Sequence, residues 1–71
     1  MNKTIDYQFT IVIPVYNEEE NIYLLEEKLS DFLPHSMCSS CVLFVNDGST
    51  DNSLGRIKEV CARHKDFFYI S

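Results

Sequence analysis

Phe9-Thr10-Ile11-Val12-Ile13-Pro14-Val15-Tyr16-Asn17-Glu18 is the stretch whose reading decides the fold. Phe9 to Val15 is rich in β-branched side chains and carries no charge, which predicts a strand. Its near-continuous apolar character predicts burial on both faces, as in a parallel sheet. Pro14 punctuates the strand end. Asn17 then offers a helix N-cap, with Glu20 three residues later in a capping-box-like pattern. Downstream, Ile22, Leu25, Leu29, Phe32 and Leu33 recur at helical spacing, separated by Glu26, Glu27, Lys28 and Asp31. The spacing predicts a helix over roughly 18–33, ended by Pro34.

The same grammar is then repeated. After a polar loop from His35 to Ser40, Cys41-Val42-Leu43-Phe44-Val45 reads as a second buried strand, broken by the turn signature Asn46-Asp47-Gly48-Ser49. Thr50 or Asp51 can cap the helix that follows. Leu54, Ile57, Val60 and Cys61 form its apolar stripe, and Arg56, Lys58, Glu59 and Arg63 face outward. Phe67-Phe68-Tyr69-Ile70 opens a third strand. The order β-α-β-α-β predicts the α/β class, with a parallel sheet and right-handed crossovers. Three strands and two helices are half of a doubly wound domain, so a helix layer is missing and apolar surface is left uncovered. The chain therefore reads as an incomplete, Rossmann-like half-domain.

Size and composition narrow the function. With 71 residues there is room for one small domain, which buries only ~60% of the surface its unfolded chain exposes. A hydrophobic share of 45% and two Gly and two Pro argue against disorder or a low-complexity linker. The net charge is −5, with acids clustered at Glu18-Glu19-Glu20 and Glu26-Glu27 and no basic stripe, which excludes a nucleic-acid backbone surface. Met1-Asn2-Lys3 leads into polar Asp6-Tyr7-Gln8 rather than an apolar signal core, and no apolar run approaches the length of a membrane span. The odd count of three cysteines favours a reducing compartment, and the expected location is cytoplasmic.

Ligands of open parallel sheets bind beyond the carboxyl ends of the strands. Two loops lie there if the first two strands are neighbours: Pro14-Val15-Tyr16-Asn17-Glu18 and Asn46-Asp47-Gly48-Ser49-Thr50-Asp51. Their rim carries an aromatic, Tyr16, and two acceptors, Glu18 and Asp47. That set suits a nucleoside. Tyr16 can stack on a base, a contact worth ~1–3 kcal/mol in single-strand binders. Asp47 can accept from a base imino N–H, Glu18 from a ribose or base donor, and Gly48 lets the backbone turn tightly away. Neither G-x-G-x-x-G nor G-x-x-x-x-G-K-[ST] is present, so dinucleotide-dehydrogenase and P-loop readings lose their support.

Pro14-Val15-Tyr16-Asn17-Glu18 closing one apolar strand and Val45-Asn46-Asp47-Gly48-Ser49-Thr50-Asp51 closing the next resemble family 2 glycosyltransferases of the GT-A fold. Glu18 to Ile22 adds a likeness to the branch of dolichyl-phosphate mannose synthase and bacterial polyprenyl-phosphate sugar transferases. The match spans about positions 9–70. The resemblance implies that Pro14, Tyr16, Glu18, Val45 and Asp47 contact the nucleoside of a nucleotide-sugar donor, with a polyprenyl phosphate as acceptor. Asn46 stands where many relatives have a first Asp. The resemblance also implies a divalent metal, Mg²⁺ or Mn²⁺, held by a later Asp-x-Asp motif that neutralises the departing diphosphate. This sequence contains no Asp-x-Asp, so residues 1–71 read as the donor-binding portion of a longer enzyme, inactive alone, with neither catalytic nor metal-binding residues.

Blander readings stand beside these. Glu18 can be a favourable helix N-terminal charge, Asp51 a cap and Asn17 an N-cap. His35, Cys38, Cys41 and Cys61 have ligand types that permit zinc, but Cys41 opens a buried strand and Cys61 lies on an apolar stripe, where cysteine packs as a small hydrophobe. His64, near the end of the second helix, is read as complementing the helix dipole. The alternative from another class is a small, non-enzymatic α/β binding or interaction module.

Overall fold

A computed structural model describes residues 7–36 and 38–71; the opening residues read above for a targeting signal lie outside them. The elements are β1 (Phe9–Val15), α1 (Ile22–Phe32), a 3₁₀ turn (Leu33–His35), β2 (Ser40–Asn46), α2 (Ser53–Arg63) and β3 (Phe67–Ile70). The strands form one parallel sheet in the order β1-β2-β3. Thr10 pairs with Cys41, Val12 with Leu43 and Pro14 with Val45; Leu43 pairs in turn with Phe68 and Val45 with Ile70. The chain is thus α/β, with a parallel sheet interleaved with helices.

Both helices cover the same face. Successive side chains alternate across a strand, and the core joins Val15 of β1, Val42 and Phe44 of β2 and Phe67 of β3 to Ile22 of α1 and Ile57 and Val60 of α2. Phe44 and Phe67 meet tilted, with ring centroids 6.0 Å apart. Ile11, Ile13, Leu25, Leu29, Leu33 and Cys61 pack around this centre. The opposite face carries Val12, Pro14, Leu43, Val45, Phe68 and Ile70. Val12 is 56% exposed and Ile70 54%.

The expected two-sided burial of the first strand is therefore corrected. β1 is apolar on both faces, but only one face meets a helix, because the two crossovers step across the sheet in one direction. The uncovered apolar surface foreseen from the element count is present.

Two helix details also differ. Residues 18–21 form a turn closed by the Asn21 amide donating to the Glu18 carbonyl (2.9 Å), so α1 starts at Ile22 with Asn21 as its N-cap. Asn17 is not the cap, and no capping box forms at Glu20. Phe32 faces outward and is exposed, while Pro34 sits in the first turn of the 3₁₀ segment, where its missing N–H costs nothing.

Toward the amino ends of the strands, side chains tie the elements together. Arg63 donates twice to Glu26, at 2.9 Å each, and His64 Nε2 lies 2.8 Å from the same carboxylate. His64 also stacks on Phe67, with centroids 4.5 Å apart. His64 stands at the carboxyl end of α2, as read from the sequence, and there also meets Glu26, brought from α1 by tertiary packing. The Arg63 guanidinium, with help from His64, holds the Glu26 carboxyl below its ordinary range. Tyr7 donates its hydroxyl to Asp66 (2.8 Å), which pushes the phenol up to about 12, and meets Phe68 edge-on. The three cysteines are unpaired. No helix among the described residues is long and apolar enough to cross a membrane.

Candidate functional site

The parallel pairing of β1 with β2 brings both loops to one rim. Pro14 lies opposite Val45, and the Asp47 amide donates to the Val15 carbonyl at 2.9 Å, extending the ladder one step past the strands. Tyr16 is 58% exposed, Asp47 and Pro14 are exposed, and Glu18 and Val45 are half-buried. All five sequence-predicted residues therefore belong to the same end of the β1–β2 pair. Gly48 has φ +72°, the left-handed region that glycine enters at little steric cost, and no atom lies within 4 Å of the position a Cβ would take.

The loops are locked to each other by side chains reaching backbone groups. Asn17 has φ +51°, a left-handed conformation that asparagine tolerates. Its Oδ1 accepts from the Thr50 amide (2.8 Å), the Thr50 hydroxyl (3.3 Å) and the Asp51 amide (3.3 Å). Its own amide donates to Ser49 Oγ at 3.0 Å. The Glu18 amide donates to Ser53 Oγ (2.7 Å), and the Glu19 amide to Asp51 Oδ2 (3.2 Å). In return the Asn52 amide donates to the Glu19 carboxylate (2.9 Å), and Arg56 reaches the Glu19 carbonyl at 2.6 Å.

Asp51 is the second hub. Its Oδ1 accepts from the Ser53 hydroxyl (2.6 Å) and amide (2.9 Å). These bonds, the Ser53 hydroxyl first, hold its carboxyl below the ordinary aspartate range. The formal N-cap of α2 is Asn52, which makes no side-chain capping bond. Asp51 thus satisfies the Ser53 amide of the first turn, as a cap would, and bridges to the first loop as well.

The two loops divide their residues. Asn17, Glu19, Ser49, Asp51 and Ser53 are engaged in bracing. Among the described residues, the Tyr16 hydroxyl and the carboxylates of Glu18 and Asp47 have no protein hydrogen-bond partner, so their polar atoms are open to a ligand. Asn46 is 8% exposed; its Nδ2 donates to Ser71 at 3.4 Å, and its Oδ1 is buried without a partner.

A shallow hollow of about 310 Å³ adjoins the rim, lined by Asn17 to Asn21 and Asp51. A larger one of about 720 Å³ lies at the other end of the sheet, among residues such as Tyr7, Pro34, Cys38 and Lys65. It includes none of the five predicted residues, and chemistry rather than size identifies the rim as the candidate site. Among the described residues no group of three His, Cys, Asp or Glu side chains converges to hold a metal ion.

The bracing set escaped sequence reasoning. Asn, Ser, Thr and Asp near strand ends signal local turns and caps, and nothing local shows that their partners lie 32 to 35 positions away.

Comparison with known proteins gives the family. The chain is 37% identical over 62 residues to CsbB of Bacillus subtilis, a glycosyltransferase by name, covering 87% of this chain and 19% of that protein. It is 40% identical over 52 residues to YkcC of the same organism, named an uncharacterized glycosyltransferase, covering 73% of this chain and 16% of that protein. The chain thus spans less than a fifth of the length of these relatives. The family model described as Glycosyl transferase family 2 matches residues 10–71, all but the first residue of the β-α-β-α-β unit, so the chain belongs to glycosyl transferase family 2.

Proposed function

We propose that this chain is the nucleoside-binding part of an enzyme that transfers a sugar from a nucleotide-sugar donor to an acceptor. The observation that carries this reading is the division of labour at the rim. The bracing residues hold two loops still, while Tyr16, Glu18 and Asp47 keep their polar atoms free. Tyr16 offers a stacking surface, Asp47 an acceptor for a base imino proton and Glu18 an acceptor for a ribose hydroxyl. Pro14 and Val45, paired across the strands, form an apolar floor. A polyprenyl phosphate is the proposed acceptor, in line with the Glu18 to Ile22 likeness, at the cytoplasmic face of the membrane. The Mg²⁺ or Mn²⁺ that would neutralise the leaving diphosphate is proposed to be held by parts of a longer parent protein.

The test is a titration with UDP and with GDP, with and without Mn²⁺, followed by backbone amide shifts. Shifts confined to Tyr16, Glu18 and Val45 to Gly48 are expected, and the nucleotide that produces them names the base. A folded sample with no shifts would remove the reading. The apolar sheet face, where Phe68 is 43% exposed, supports a second reading as an interaction module. Sedimentation showing self-association without nucleotide binding would favour that one.

A further inference from the structure

We infer that Asn17 is a positioning residue for the nucleoside, acting through the two loops rather than by touching the ligand; this rests on the reading proposed above. Three observations carry it. The first is saturation: Asn17 Oδ1 already accepts two backbone amides and one hydroxyl of the opposite loop, so it has no capacity left for a ligand donor. The two backbone N–H donors also identify the atom as the amide oxygen.

The second is location. Asn17 lies between Tyr16 and Glu18, and the stretch it receives, Thr50 and Asp51, follows directly on the Asp47 turn. With its own amide donating to Ser49 Oγ, one residue links both candidate ligand-binding loops four times.

The third is exposure. Asn17 and Thr50 are both exposed, so bonds between them add little to global stability compared with the buried core. What they do is set one loop relative to the other. Without the clamp, the loops must be ordered when the ligand binds instead of beforehand, and that cost appears in affinity. With the backbone left-handed at Asn17, its amide and its side chain both engage residues 49–51.

The test compares Asn17→Gly, Asn17→Asp and Glu26→Gln in the 71-residue chain. Glycine keeps the left-handed backbone and the amide bond to Ser49 and removes the three side-chain links of the clamp. Aspartate restores an acceptor. Glu26→Gln weakens the other end of the sheet and controls for general loss of stability. Each is titrated with UDP and GDP, and with uridine and guanosine so that the added aspartate charge does not bear on the comparison. Amide exchange at Thr50 and Asp51 is followed in parallel.

Asn17→Gly is expected to weaken binding by about tenfold, the cost of ordering one or two more side chains on binding, and to speed exchange at Thr50 and Asp51. Asn17→Asp is expected to restore both for the nucleosides. Glu26→Gln should lower the thermal midpoint and leave affinity unchanged. Unchanged affinity in Asn17→Gly, with faster exchange at Thr50, overturns the inference alone. So does an aspartate variant that recovers slow exchange but not nucleoside binding, which would make the Asn17 amide group a direct contact. Wild-type protein that binds none of the four ligands overturns this inference together with the nucleotide reading.

Discussion

At the amino ends of the strands, Glu26 of α1 receives Arg63 twice and His64 once, and Tyr7 spends its hydroxyl on Asp66. At the carboxyl ends most ties run from side chain to backbone: Asn17 to the amides of Thr50 and Asp51, Asp51 to those of Glu19 and Ser53, Glu19 to that of Asn52. Both ends join the β1–α1 half of the chain to the half that follows it. The difference lies in what is left over. Pairing one side chain with another consumes both. Pairing a side chain with an amide consumes one, and residues between the braces keep their functional groups. The first arrangement makes a fastening, and the second makes a fastening with free groups on a stiff support, which ligand recognition requires.

The comparison breaks outright if the core that both ends share is removed. Phe44→Ala empties a fully buried position beside Phe67 and should cost about 3–5 kcal/mol, read as a lost or sharply lowered urea midpoint. Ser53→Ala attacks the rim alone. It removes the acceptor of the Glu18 amide and a donor to Asp51, so a loss of about 1–3 kcal/mol is expected, with amide shifts at Glu18 and Asp51 and none at His64. Gly48→Ala sharpens the contrast further. It meets no neighbouring atom but forces a side chain into the left-handed region, so about 1–2 kcal/mol of strain should appear by denaturation with shifts limited to residues 46–51.

The smallest effects are separated by pH. Tyr7 is raised from 10.0 to about 12 by its bond to Asp66, so the stability this bond contributes is fully present below pH 10 and lost as the pH climbs from there toward 12. Asp51 and Glu26 are both lowered, so their contributions are present above the ordinary carboxylate range and lost as the pH falls through their depressed values. Alkaline titration should therefore release the Tyr7–Asp66 tie while leaving the Asp51 and Glu26 ties in place, and acid should loosen both ends. Amide exchange at Phe67 and at Thr50, followed over both ranges, checks this.

Much of the fold was legible because its cause is local. A β-branched run at 9–15 and an aromatic-rich apolar run at 67–70 mark strands, and these are the observed limits of β1 and β3. The apolar stripe of α1 is legible too, but the local pattern predicts a start near 18, four residues before Ile22. Asn17 and Glu20 look like a capping box in isolation, yet Asn17 is drawn to Thr50 by the neighbouring loop, and Glu18 to Asn21 close a turn instead. The predicted rim residues came from the strand-end motifs, and the structure brings all five to one end of the sheet. The braces behind them were not legible, because their partners depend on the β1–β2 register.

The sequence by itself determined the element order, the parallel class and the two strand-end motifs, since propensity, periodicity and turn chemistry act over a few residues. Only the tertiary structure decided which face of the sheet is covered and which polar side chains are spent on bracing. Val12 and Val15 are equally apolar in the sequence, and the side on which the helices return leaves one exposed and buries the other. Asn17, Glu18, Glu19 and Asp51 are equally polar, and the pairing of β1 with β2 commits the side chains of three of them while leaving the Glu18 carboxylate free.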